Sequence, residues 1–84
     1  MTEENRLRLK DQMIPEFVIT SSMDYPDQGA AKVRGMINQL AITITWDYWE
    51  DIENVTIETM NISGQSNFGP CPIDKLKDVL KTFC

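Results

Sequence analysis

The chain has 84 residues, of which 42% are hydrophobic and 25% charged, and its formal net charge is −5. This length predicts a single domain, residues 1–84, with one thin core, and the mixed composition excludes a disordered tail. No apolar run approaches the roughly 20 residues that cross a bilayer, and the charged first 20 residues lack the apolar core of a signal peptide. We therefore expect a cytoplasmic protein.

The absence of histidine limits the chemistry that the chain can perform. It removes the commonest general base and the commonest zinc ligand. Cys71 and Cys84 have no CxxC spacing, so in a reducing compartment we expect free thiols. Cys71 precedes a predicted helix whose dipole would lower the pKa of its thiol, but it has no histidine partner. We therefore predict a non-enzymatic protein with no cofactor and no metal ligands.

The first half of the chain predicts a helix, a strand and a second helix. "ENRLRLKDQMI", residues 4–14, favours a helix that ends at Pro15, and "EFVITSS", residues 16–22, alternates like a strand. An amphipathic helix over residues 25–40 is then predicted. Its apolar face would consist of Ala30, Val33, Ile37 and Leu40.

The second half predicts an antiparallel hairpin. "LAITITWDYWED", residues 40–51, is the clearest strand, with Ile44 and Trp46 on its inward face. "VTIETMNI", residues 55–62, predicts the partner strand. Its apolar residues change face midway, which predicts a bulge near Glu58 or Thr59.

The last segments predict a loop and a helix. "SGQSNFGPCP", residues 63–72, has the composition of a loop, and Pro72 suits the start of a final helix with an apolar stripe. The predicted fold class is α+β: a small three-stranded, mainly antiparallel sheet with two or three helices, in the order α-β-α-β-β-α.

Negative charge is gathered in residues 35–74, which contain six acidic residues and no basic residue. This pattern predicts a negative field that attracts a basic protein surface. Direct binding of nucleic acid is not expected, because neutralising phosphates requires a basic patch. No membrane contact is expected either.

The acidic residues at the predicted hairpin tip have three interpretations. They are a charged turn that keeps a sheet edge from pairing, a docking surface with aromatic anchors, or a Ca²⁺ or Mg²⁺ site without the EF-hand spacing. We expect Trp46 in the core and Trp49 on the surface, where it is the best candidate for a binding anchor. The residues predicted to bind a partner are Asp47, Tyr48, Trp49, Glu50, Asp51, Glu53 and Phe68.

These features favour a small acidic protein-binding module. One such class is the inhibitor that mimics nucleic acid, as phages and mobile elements encode against host nucleases. A self-associating subunit that forms a homodimer is the alternative. An enzyme that holds a divalent ion with Asp47, Glu50 and Asp51 is the third hypothesis.

Overall fold

The computed structural model describes residues 3–49 and 52–84. Within them the chain forms a five-stranded antiparallel sheet in which each strand lies beside the strand before it in the chain. The elements are α1 (Glu3–Asp11), β1 (Val18–Tyr25), a 3₁₀ turn (Pro26–Gln28), β2 (Ala30–Ile37), β3 (Leu40–Asp47), β4 (Asn54–Asn61), β5 (Gly64–Pro72), a second 3₁₀ turn (Ile73–Lys75) and α2 (Leu76–Lys81).

The sheet has a buried inner face and an open outer face, because side chains alternate along β2, β3 and β4. On the inner face Val33 lies opposite Ile44, and Ile44 lies opposite Ile57. These side chains form one continuous apolar layer across three strands. The buried side chains that β2, β3 and β4 contribute to it are Ala31, Val33, Ile37, Ile42, Ile44, Trp46, Val55 and Ile57.

Both ends of the described chain cover the inner face. Leu76 and Leu80 of α2 are fully buried there, and each such side chain contributes about 1.5–3 kcal/mol relative to an exposed one. Leu9 of α1 and the segment after α1, with Ile14 and Phe17, cover the remainder. No helix among the described residues has the length and apolar character needed to cross a bilayer.

The predicted helix over residues 25–40 is wrong. The segment forms the 3₁₀ turn Pro26–Gln28 and the strand Ala30–Ile37, and then turns into β3. Val33 and Ile37 fit both a helical and an alternating pattern. The alternating pattern is the one that forms, because the inner face of the sheet buries every second residue of β2, including Gly35.

The predicted loop over residues 63–72 is also wrong, because Gly64–Pro72 forms β5. This strand lies at the edge of the sheet and pairs with β4 alone. An edge strand tolerates Pro70 and Pro72, since it needs hydrogen-bond donors on one side only. The sheet therefore has five strands instead of three, and the order of elements is α-β-β-β-β-β-α rather than α-β-α-β-β-α.

The strand predicted at residues 16–22 exists, but it runs from Val18 to Tyr25. The first helix, the final helix and the β3–β4 hairpin are confirmed. Trp46 is buried in the core, as predicted.

The predicted bulge near Glu58 or Thr59 is wrong. Val55, Ile57 and Thr59 all lie on the buried face of β4, so the strand keeps its alternation. The apolar residues at the end of this segment, Met60 and Ile62, are exposed.

Candidate functional site

Trp49 is a surface residue that the fold nevertheless holds in place. Its side chain is 69% exposed. The indole Nε1 donates a hydrogen bond of 3.0 Å to the carbonyl oxygen of Pro26, and the backbone N–H donates one of 2.8 Å to Oδ1 of Asp47. The ring of Tyr48 packs edge-on against the indole, with 4.7 Å between ring centroids. The indole is therefore fixed in orientation while most of its surface faces solvent.

The support for this indole comes from the turn between β1 and β2. Gly29 has a φ of 67°, a left-handed conformation that glycine adopts without steric cost. Its carbonyl oxygen accepts a hydrogen bond of 3.0 Å from the N–H of Tyr48. This bond joins the turn to the chain just beyond β3. The turn and Trp49 therefore form one hydrogen-bonded corner of the molecule.

Sequence reasoning missed Pro26 and Gly29, because it assigned both to a helix. A signal was present in "YPDQG", residues 25–29. Proline near the start of a tight turn and glycine at its left-handed end are typical of turns.

Two described carboxylates, Asp27 and Asp47, lie on the chain segments that form this corner. Asp27, in the 3₁₀ turn next to Pro26, and Asp47, at the end of β3, are both exposed. Glu53 is exposed just before β4, and its carbonyl oxygen accepts a hydrogen bond from Ile73. Glu50 and Asp51, which sequence reasoning assigned to the same site, lie outside the described residues.

The outer face of the sheet carries charges of both signs. Lys32 and Arg34 of β2 lie opposite Thr45 and Thr43 of β3. Two basic residues therefore lie next to the acidic segment, residues 35–74, which contains no basic residue itself. Glu58 lies opposite Thr43 on the other side. The outer face is therefore not a continuous row of carboxylates.

The structure does not bring Phe68 to Trp49. Phe68 is 43% exposed and packs edge-on against Phe83, with 5.7 Å between ring centroids. The side chain of Asn38, in the turn between β2 and β3, donates a hydrogen bond of 3.4 Å to the carbonyl oxygen of Phe83. That turn lies at the end of the sheet opposite the β3–β4 connection. Phe68 and Trp49 therefore belong to different surfaces.

The outer face also presents an apolar row that sequence reasoning missed. Val18, Met36, Ala41 and Met60 lie opposite one another on four successive strands. Val18 is 63% exposed and Met60 is 56% exposed. The row was hidden in the sequence because it forms only when Met36 belongs to a strand.

Neither cysteine is part of a reactive arrangement. Cys71 and Cys84 are free thiols, as predicted. Burial raises the pKa of the Cys71 thiol through desolvation, so the lowered pKa considered for a thiol near a helix start is wrong. Among residues 3–49 and 52–84, no three potential metal-ligating side chains gather at one point. The ligand set Asp47, Glu50 and Asp51 falls partly outside these residues.

Comparison of the chain with protein-family models, with curated proteins and with solved structures finds no match in any of the three.

Proposed function

We propose that the protein is a small non-enzymatic protein-binding module whose contact surface is centred on Trp49. The observation that carries the proposal is an indole that is 69% exposed yet held by a hydrogen bond to Pro26. Tryptophan is enriched among the residues that dominate binding energy in protein interfaces. A side chain that is already ordered loses little conformational entropy when a partner covers it.

The flanking carboxylates indicate the chemistry of the partner. Asp27 and Asp47 lie on the two chain segments that hold Trp49. Complementary charge around an aromatic anchor speeds encounter and selects the partner. The partner is therefore a protein with an apolar recess for the indole and basic residues on its rim. We place this interaction in the cytoplasm, as composition predicts.

An inhibitor that occupies a nucleic-acid-binding groove is one form of such a module. Lys32 and Arg34 on the outer face give this form less support than docking through Trp49, because a phosphate mimic requires an uninterrupted run of negative charge. The proposal therefore rests on the corner at Trp49 and not on the whole acidic segment, residues 35–74.

Affinity capture from a lysate with quantitative mass spectrometry tests the proposal. The variants are Trp49→Ala and, as a matched control, Ile62→Ala, which truncates a fully exposed apolar residue in the β4–β5 turn. A partner captured by the wild type and by Ile62→Ala should be lost with Trp49→Ala, because losing a central anchor costs 2 kcal/mol or more, about 30-fold in affinity. Capture that Trp49→Ala leaves unchanged, or no protein enriched by the wild type, would refute it.

Charge has its own test. Asp27→Asn retains the shape of the turn and removes one carboxylate beside Trp49. We expect slower association with the captured partner at low salt, and a smaller difference from the wild type as salt is raised. Glu58→Gln, on the outer face, is the control that should associate at the wild-type rate.

Self-association is the second candidate, and the apolar row on the outer face favours it. Two copies that cover Val18, Met36 and Met60 against one another would remove these side chains from water. Sedimentation velocity over a concentration series decides between the two candidates. A dimer that Met36→Lys dissociates supports self-association, whereas a monomer at every concentration removes it.

A further inference from the structure

A cavity of about 400 Å³ lies between α1 and the first three strands of the sheet. Leu9 and Met13 form one wall, and Ile19, Val33 and Trp46 form the opposite wall. The volume falls in the range of roughly 300–1,000 Å³ that small-molecule sites occupy. The cavity is separate from the corner at Trp49, because it opens onto the inner face of the sheet.

The sequence of α1 explains why this space is not filled. The helix "EENRLRLKD" has few apolar residues, and Leu7 is 55% exposed while Leu9 is buried. A helix with so narrow an apolar stripe cannot fill the inner face beneath it. The result is an apolar space at this end of the core that is open to solvent on one side.

Trp46, which lines the same cavity, carries a buried hydrogen-bond donor without a partner among the described residues. Trp46 is only 4% exposed, and its Nε1 has no hydrogen-bond partner within the part of the chain that the structure describes. Buried polar groups are nearly always paired, and a buried donor without a partner is costly. An occupant that brings an acceptor atom would satisfy this donor.

We propose that this cavity binds a small, neutral, largely apolar molecule that carries one acceptor oxygen, such as a ketone, for the indole N–H of Trp46. The polar residues of the lining are Lys10, Ser22 and Asp24, and all three are exposed. Their opposite charges balance, so they favour no net charge on the occupant. Because all three are exposed, they lie toward solvent, and the acceptor oxygen of the occupant points inward to Trp46 while its apolar body packs against Leu9 and Val33.

An occupant reaches the indole N–H only if neighbouring side chains move, because the nitrogen is screened from solvent. Met13 and Lys10 line the cavity, and both have long side chains that change rotamer readily. Their movement is the rearrangement that we expect binding to require.

Prodan, a neutral naphthalene with a single ketone and an environment-sensitive emission, is the probe for a first test. We expect saturable one-to-one binding with blue-shifted emission. Ser22→Phe should weaken binding at least tenfold, because Ser22 lies opposite Val33 on the inner face and a phenyl ring there enters the cavity. Ser21→Phe is the matched control, since Ser21 lies opposite Arg34 on the outer face.

The hydrogen bond is tested with a second probe, 2-dimethylaminonaphthalene, which lacks the ketone. Trp46→Phe should weaken prodan about two- to tenfold more than it weakens the second probe, the worth of one hydrogen bond, because both probes lose the same apolar contact with the indole. If circular dichroism shows that Trp46→Phe does not fold, the wild type alone decides: prodan must bind at least twofold tighter than the second probe.

Three results would overturn the proposal. They are prodan binding that does not saturate, equal prodan affinity of the wild type and Ser22→Phe, and tighter binding of the anionic probe 1-anilinonaphthalene-8-sulfonate than of prodan. The last result would show that positive charge, and not the indole donor, selects the occupant.

Discussion

Replacing Gly35 with alanine should destabilise the protein severely. Gly35 is buried in β2, opposite Ile19 of β1 and Ile42 of β3. A Cβ at this position would lie 2.5 Å from the carbonyl oxygen of Val18 and 2.5 Å from Cε1 of Phe17. Distances below 3.0 Å are essentially never found for real Cβ atoms, so the surroundings must move.

The structure indicates how much stability Gly35→Ala should cost. Overpacking a core costs about 1–3 kcal/mol. We expect about 3 kcal/mol here, at the top of that range, because one overlap is with a backbone atom and the other is with a ring that is only 5% exposed. A chain of this length has a free energy of unfolding of about 4–13 kcal/mol. The melting temperature should fall by about 12–24 °C, since each kcal/mol shifts it by about 4–8 °C in a domain of this size.

Urea unfolding followed by circular dichroism measures the difference. Met36→Ala, one position along the same strand but on the outer face, is the control and should change stability by less than about 0.5 kcal/mol. In a Phe17→Ala background the cost of Gly35→Ala should shrink but persist, because the overlap with Val18 remains. A Gly35→Ala protein that unfolds at the wild-type urea concentration would refute the reasoning.

Four further predictions concern the core, the thiols and the surface. Leu80→Ala should lower the free energy of unfolding by about 2–5 kcal/mol, because Leu80 is fully buried, while Leu7→Ala at an exposed site should change it by less than about 0.5 kcal/mol in the same urea titration. Ellman's reagent should react fast with exposed Cys84 and slowly with buried Cys71, and two equally fast thiols would contradict the burial. The pKa of Cys71 is raised in the folded state, so the unfolded chain loses the thiol proton at lower pH than the folded chain does. The free energy of unfolding should therefore fall as pH rises above the ordinary thiol pKa. Cys71→Ala should reduce this loss of stability at high pH. Ile62→Ser should leave the melting temperature unchanged, because this side chain is fully exposed; a fall of several degrees would show that it packs against the protein.

β3 could be predicted because its alternation has one interpretation, and β4 followed as its partner, although exposed Met60 and Ile62 were misread as a change of face. β2 could not, because Val33 and Ile37 are four residues apart and also fit an alternating set with Ala31 and Gly35. Local pattern cannot decide between a helix and a strand there. The neighbouring strands decide it, since β1 and β3 both pair with this segment.

β5 escaped prediction for a different reason. Cys71 is the buried side chain of this strand, and its other side chains are exposed. The sequence of β5 therefore shows no alternation of apolar and polar residues from which a strand could be predicted. The hydrogen bonds to β4 make it a strand, and these depend on tertiary structure rather than composition.

The candidate site was predicted only in part. The exposure of Trp49 follows from its polar neighbours in the sequence, but its anchoring does not. Pro26, which accepts the indole hydrogen bond, is 23 residues away along the chain. That contact exists because β2 returns the chain to β3.

The strand order, which follows the chain order, determines when the molecule can complete its interior. Each strand pairs with the strand that follows it in the chain, so the hairpins can form early and in chain order. Leu76 and Leu80 arrive after every strand has been synthesised. Until α2 docks, a sheet whose strands have already paired therefore leaves part of its inner apolar face exposed to water.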